Sequence, residues 1–151
     1  MKFSTRVDTD LSAADLFAMV SDFGRIERIL LRHGAHVSRS DSKPQVEIGS
    51  AWTIRFRWHG KVRNVAFELT QLDRPERVSL AGLSEAFETR LDFTIVALSP
   101  SRSRLLFESD VKPRNMRARL LLQTAKLGKA QLDRRFERRI GLFVDELRGV
   151  V

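Results

Sequence analysis

The sequence predicts an α+β domain in which an antiparallel sheet of six or seven strands is covered by a long C-terminal helix. Three observations support this prediction. Residues 51–69 alternate between apolar and polar side chains around His59-Gly60, which is typical of a β-hairpin with one apolar face. A first alternating segment is followed by two short helical segments. After Pro113 the apolar period changes from two to about 3.6 residues, which indicates a helix.

The N-terminal elements are predicted by alternation and by capping residues. Residues 2–9 alternate as a strand does, and Ser12 with Asp15 three positions on is typical of a helix N-terminus. We expect Gly24 to separate this first helix from a second short helix over residues 26–31. The apolar stripe of the first helix is formed by Leu16, Phe17, Val20 and Phe23.

A two-residue loop at His59-Gly60 predicts the register of the hairpin. A slip of one residue would turn Arg55 and Arg57 to the apolar face, so the register is strongly specified. The same register, continued across a turn at residues 73–76, sets Leu69 opposite Leu80 and Phe67 opposite Gly82. Within the hairpin the predicted pairs are Trp58 with Lys61, Phe56 with Arg63, Ile54 with Val65, and Trp52 with Phe67.

The remaining elements are predicted to be the other strands of an antiparallel meander and the C-terminal helix that packs on it. Strand candidates follow one another at about 35–40, 50–58, 61–72, 77–84, 86–98 and 103–111. The face of these strands opposite the apolar face is charged, as expected of a face in contact with solvent. One helix is predicted from the region after Pro113 to the C-terminus, with the stripe Leu122, Ala125, Gly128, Leu132, Phe136, Ile140, Phe143 and Leu147.

Length and composition limit the classes of protein. The chain of 151 residues fits a single domain, residues 1–151, with one hydrophobic core. The absence of cysteine excludes disulfide bonds, thiol catalysis and cysteine zinc sites. The N-terminus alternates like a strand instead of carrying the apolar run of a signal peptide, and no segment is long and apolar enough to span a membrane. We therefore expect a cytoplasmic protein, either a monomer or a homodimer.

The net charge of +8 points to an anionic partner, and the positive charge is concentrated in residues 112–139. Such a run can be a solvated helix face, or it can bind a ribosome, nucleic acid or an anionic membrane surface. The one aromatic residue among these arginines, Phe136, belongs to the apolar stripe, so stacking on single-stranded bases is poorly supported, and we expect no sequence-specific nucleic-acid binding. A membrane surface or a ribosome remains the possible partner.

Several segments resemble the START/SRPBCC superfamily, whose helix-grip fold occurs in polyketide cyclase/dehydrase-like and lipid-transfer-like proteins. The similarity covers essentially the whole chain, and the motifs follow one another in the family's order. Its fold implies a curved sheet wrapped around the C-terminal helix. The segments are Val7-Asp8, Ser12-Ala-Ala-Asp15-Leu-Phe17, Val20-Ser-Asp22-Phe23, Gly49-Ser-Ala-Trp52 and residues 103–111.

The resemblance implies a cavity between sheet and helix that holds a hydrophobic small molecule or lipid. A solid core built from the same side chains is the alternative, since apolar periodicity does not distinguish the two. The implied lining comprises Trp52, Ile54, Phe56, Val65, Phe67, Leu69, Leu80, Leu91, Phe93 and Phe107 from the sheet, with Leu132 and Phe136 from the helix.

The inward positions carry almost no titratable side chains, so the sequence favours a binding protein, a carrier or sensor, over an enzyme. A polyketide cyclase- or hydrolase-like enzyme on the same fold is the alternative. Two inward polar residues join the predicted site: the hydroxyl of Thr89, and Arg63, which either meets an anionic group at the cavity mouth or only snorkels. His33 and His36 flank the Gly34 turn, and His59 lies in the distant hairpin loop, so we expect neither a metal ion nor a cofactor, and no catalytic residue is assigned.

Overall fold

A computed structural model describes residues 1–149, and its element order agrees with the prediction. Residues 150–151, the end of the predicted domain, lie outside the described residues. The elements are β1 (Lys2–Thr9), α1 (Ala13–Val20), α2 (Phe23–Arg32), β2 (His36–Arg39), β3 (Ala51–Trp58), β4 (Lys61–Asp73), β5 (Arg77–Leu83), β6 (Phe87–Ser99), β7 (Arg102–Pro113), α3 (Met116–Lys126) and α4 (Lys129–Arg148).

The strands form one antiparallel sheet in the order β1-β7-β6-β5-β4-β3-β2. The predicted hairpin register is confirmed for all four pairs, as are the pairs Leu69 with Leu80 and Phe67 with Gly82. His59 and Gly60 have φ angles of 51° and 74°, as a two-residue hairpin turn with two left-handed residues requires. Glycine adopts this conformation without strain, which explains why it follows His59.

The helices cover one face of the sheet, which we call the inner face. Helix α1 begins where the hydroxyl of Ser12 accepts a hydrogen bond from the backbone N–H of Asp15, at 3.1 Å. Its Leu16 and Phe17 are fully buried and pack in the core with Leu69 and other apolar side chains of the sheet. Among residues 1–149, no helix is both long and apolar enough to cross a membrane.

Two details of the predicted helices are wrong. Gly24 lies inside α2, which begins at Phe23, so the break between the two N-terminal helices falls at residues 21–22 instead. The helix after Pro113 is two helices, because Gly128, a weak helix former, ends the first and serves as the N-cap of α4. Gly128 is therefore exposed and does not belong to the buried stripe in which it was placed.

The loop between β2 and β3 is held by one carboxylate. Both oxygens of Asp41 accept hydrogen bonds from Arg39, at 2.7 and 2.9 Å. The same oxygens accept the backbone N–H groups of Lys43 and Ala51, each at 2.8 Å. The hydrogen bonds from Arg39 first, and then that from Ala51, hold the pKa of Asp41 well below its usual value. The ionised carboxylate thus fixes the entry to β3.

The variant Asp41→Asn is expected to have a lower melting temperature than the parent protein at neutral pH, because the amide loses acceptor positions. A carboxyl group with a lowered folded-state pKa stabilises the fold above its unfolded pKa of about 3.9, and this contribution is lost as the pH falls below it. The difference between the two melting temperatures should therefore shrink below about pH 4.

Thermal unfolding followed by circular dichroism at several pH values checks this expectation. Glu47→Gln is the matched control, since Glu47 lies in the same loop and its pair with Lys43, at 3.2 Å, is exposed. A melting-temperature difference for Asp41→Asn that is equal at acidic and neutral pH would contradict the assigned role.

Candidate functional site

The helices leave the inner face of the central strands incompletely covered. Helix α4 packs chiefly on β1, α3 on β7, α2 on β2, and α1 on β6 and β7. We call the end of the sheet with the His59-Gly60 turn the hairpin end. Toward this end the inward side chains of β3, β4 and β6 are consequently half-buried. We call this surface the inner floor; it consists of Ile54, Phe56, Val65, Phe67, Thr89 and Leu91.

Register connects the inner floor across four strands. Ile54 pairs with Val65, Phe67 with Gly82, and Gly82 with Thr89. Because directly opposed residues on neighbouring strands share a face, these side chains form one continuous apolar surface with a single hydroxyl. The sequence-predicted set is thus brought together on one face, and its Leu80 and Phe93, also half-buried, pack against the core.

Three residues of the predicted lining are deeply buried in the structure. Leu69 is 0% exposed, and Trp52 and Phe107 are each 4% exposed. The Trp52 ring stacks on Phe23 at 5.0 Å between centroids. These side chains have protein neighbours around them, so in this structure they contribute to the core.

Glu27 of α2 belongs to the same region and was missed by the sequence analysis. Its Oε1 accepts a hydrogen bond from the indole Nε1–H of Trp52 at 2.7 Å. Alternation along a strand predicts which strand side chains point inward, but it says nothing about a residue on a helix. Nothing in the local sequence indicates the contact between Glu27 and Trp52. Glu27 anchors α2 to β3 at the edge of the inner face.

The two predicted residues of α4 also lie on the inner face, but near the β1–β7 edge of the sheet. Phe136 is half-buried and stacks on Phe107 at 5.3 Å, with Phe3 of β1 at 5.5 Å. Leu132, one turn earlier, is also half-buried. The aromatic contacts hold α4 above β1 and β7, which leaves the inner floor to its side.

The polar residues of the site are few. Arg63 is exposed at the hairpin end, and its guanidinium lies 6.0 Å from the centroid of the Trp58 ring. The hydroxyl of Thr5, which is opposite Phe107 on the inner face, is buried and has no hydrogen-bond partner among the described residues. Such an atom is uncommon in folded proteins.

No described residue brings a carboxylate of the strands to the inner floor. Asp92 faces outward and accepts hydrogen bonds from Ser79 at 2.5 Å and Arg77 at 3.2 Å. Partial burial alone would raise the pKa of Asp92, but these hydrogen bonds keep it below its usual value. Within residues 1–149 no three histidine, aspartate or glutamate side chains are grouped so as to hold a metal ion.

The outer face of the sheet has an open depression of about 560 Å³. Its lining includes the small side chains of Ala51 on β3 and Ala81 on β5, which flank Glu68 of β4, and of Ala66 two residues earlier on β4. Charged side chains surround it, including Glu68, Glu88, Arg90, Asp110 and Lys112. Side-chain alternation predicts that this face is in contact with solvent, but it does not predict a depression there, because alternation does not report the curvature of the sheet.

Solved structures similar to this chain share its architecture over nearly the whole length. An aromatase/cyclase from Streptomyces sp. R1128 is 12% identical, with a TM-score of 0.68 over 98% of this chain and 93% of that one. A START superfamily protein from Mycobacterium smegmatis is 16% identical, with a TM-score of 0.59 over 91% and 97%. The chain has the START/SRPBCC helix-grip fold.

A third similar structure with the helix-grip fold is norcoclaurine synthase from Thalictrum flavum, which is 10% identical, with a TM-score of 0.59 over 74% of this chain and 68% of that one. No protein-family model and no curated protein matches the sequence. At such identities the similarity establishes the fold, and the function has to be argued from the site.

Proposed function

We propose that the chain binds a hydrophobic small molecule or lipid on the inner floor, as a carrier or sensor. The observation that carries this proposal is the row of half-buried apolar side chains on β3, β4 and β6, over which no helix is centred. Apolar surface that a fold leaves partly in water gains free energy when a ligand covers it, roughly 25 cal/mol for each Å². A mostly apolar lining with a few polar groups is typical of small-molecule binding sites.

The polar groups near this surface suggest what else the ligand carries. Thr89 contributes a hydroxyl within the inner floor, and Arg63 lies exposed at the hairpin end of it. A ligand with an apolar body and one anionic or hydroxyl-bearing end would match this arrangement. We propose such an amphipathic molecule, handled by a cytoplasmic protein.

A cyclase- or hydrolase-like enzyme on the same fold is the second candidate. Two of the similar structures are named as enzymes, the aromatase/cyclase and the norcoclaurine synthase. General acid–base catalysis needs a titratable side chain within hydrogen-bond reach of the ligand. The described strands supply none on the inner floor, and the nearby Glu27 is already bonded to Trp52. This favours binding without chemistry.

A matched pair of variants on one strand tests the binding site. Val65→Arg places a charge on the inner floor, whereas Ala66→Arg places it on the outer depression, one residue further along β4. Native mass spectrometry, followed by solvent extraction, would identify a copurified ligand, and titration with the apolar dye Nile red would measure the site directly. We expect Val65→Arg to weaken dye binding at least about tenfold and Ala66→Arg to leave it nearly unchanged.

The reverse result, loss of binding in Ala66→Arg only, would move the site to the outer depression and overturn the proposal. Absence of both an adduct and dye binding in the parent protein would also overturn it. Thermal unfolding of both variants shows whether a loss of binding reflects the site or a loss of fold.

A further inference from the structure

Helix α3 has apolar side chains on two opposite sides. One side packs on the domain, where Ala118 is buried and Leu122 half-buried. On the other side Met116, Leu120 and Leu127 are 66%, 56% and 90% exposed. At about 100° of rotation per residue these three positions fall within about 40° of one another, pointing away from the domain. We call these three residues the outer ridge.

The outer ridge is flanked by cations on both sides. By the same rotation Arg117 lies on one flank, while Arg119 and Lys126 lie on the other. Among the described residues none of these three forms an ion pair. From residue 111 to residue 132 the sequence has six lysine and arginine residues and no aspartate or glutamate. An apolar strip between cations, here interrupted by Gln123 and in a segment without acidic residues, is typical of helices that lie in a membrane interface.

A second depression lies beside the same helix. It has a volume of about 320 Å³, and its walls include Leu122 and Pro113 together with the cationic Arg119 and Lys126. Two cations beside an apolar wall match the phosphate and the start of the acyl chains of a phospholipid.

The outer ridge also lies near the hairpin end of the inner floor. Helix α3 follows β7 directly, and antiparallel pairing brings the end of β7 to the same end of the sheet as the hairpin turns at residues 59–60 and 84–86. Exposed apolar side chains mark these strand ends as well, with Trp58 at 54%, Val62 at 53% and Leu83 at 45%.

We propose that α3 docks on an anionic lipid membrane through its outer ridge. A second copy of this chain is a poor occupant, because a symmetric contact through the ridge would bring the flanking cations of both copies together. Nucleic acid would leave the ridge in water, and residues 111–132, which include α3, contain no aromatic residue for stacking. A membrane covers the ridge and neutralises its flanks together. This docking goes beyond ligand binding and does not depend on it.

Sedimentation with lipid vesicles tests the proposal. The parent protein should bind phosphatidylcholine vesicles containing about a third phosphatidylserine, and bind pure phosphatidylcholine vesicles weakly. Two variants separate the contributions. The ridge variant, Leu120→Ser with Leu127→Ser, removes two of the three apolar side chains of the ridge. The second variant, Arg117→Gln with Arg119→Gln and Lys126→Gln, removes the flanking cations. Each should lower the partition into anionic vesicles at least about tenfold, and added salt should reproduce only the second loss.

Matched controls come from α4, whose outer side is also exposed and basic. Leu142→Ser removes a leucine that is 52% exposed, and Arg134→Gln with Arg138→Gln removes two exposed cations. We expect these changes to lower the partition by less than about threefold. All substituted side chains are exposed, and circular dichroism would verify folding.

Three outcomes would overturn the proposal. These are a parent protein without preference for anionic vesicles, a ridge variant that binds as well as the parent, and α4 controls that lose as much binding as the α3 variants. Ridge-dependent dimerisation without vesicle binding would assign the ridge to a second copy instead. Since Nile red binding on the inner floor is measured without vesicles, failure of docking and failure of ligand binding are distinguishable.

Discussion

Replacing Leu69 with alanine is expected to lower the free energy of unfolding by about 2–5 kcal/mol. Leu69 is 0% exposed, pairs with Leu80 in the middle of the sheet, and belongs to the main core cluster. Truncating it removes buried methyl groups and leaves a cavity that a rigid sheet cannot fill by relaxing. The destabilisation should appear in urea or thermal unfolding, whether or not a ligand is present.

Leu91→Ala provides the comparison, because Leu91 lies on the same face but is half-buried in the inner floor. Its truncation should cost clearly less stability than that of Leu69 and should weaken Nile red binding more. Equal losses of stability in both variants, with unchanged dye binding, would mean that the inner floor is ordinary core.

This comparison divides the lining predicted from sequence into two groups. Alternation in the hairpin predicted correctly which side chains share the inner face, because a one-residue slip would have buried arginines. It did not predict how deeply each of these side chains is buried. Trp52 and Val65 both point to the inner face, yet Trp52 is buried under α2 and Val65 is half-buried. Depth depends on where the helices pack, which the strand pattern does not encode.

Most of the features that were not predicted from the sequence involve the helices. The hydrogen bond from Trp52 to Glu27 joins residues that are 25 positions apart and lie on different elements, so no local sequence pattern predicts it. Similarly, one continuous apolar stripe was predicted after Pro113, whereas Gly128 divides the helix into α3, which packs on β7, and α4, which packs chiefly on β1. That division leaves Leu127, the last residue before Gly128, 90% exposed.

The two proposals use different parts of one end of the molecule. The inner floor offers apolar surface that the helices leave partly uncovered, while the outer ridge offers it on the side of α3 that points away from the domain. A monomeric protein seldom exposes contiguous apolar surface without a function, so both surfaces require an explanation. A lipid-like ligand and a membrane from which it is taken, or to which it is delivered, would explain both.

Gly82→Ala is the second substitution with a large expected effect. A Cβ atom at Gly82 would lie 2.6 Å from Cε1 of the Phe67 ring, which rests on the glycine from the neighbouring strand. No real Cβ contact is that short, so the ring or the strand must move, and overpacking of this kind typically costs about 1–3 kcal/mol. We expect reduced stability and, because Phe67 belongs to the inner floor, altered dye binding.

A double-mutant cycle assigns this cost to the ring. In the Phe67→Ala background the clash is absent, so Gly82→Ala should then cost much less than in the parent protein. Ala81→Val is the matched control, because its side chain faces outward and is exposed, and it should change stability little. If Gly82→Ala cost the same in both backgrounds, the glycine would be required by the backbone, and the inner floor would not depend on the packing of Phe67 over it.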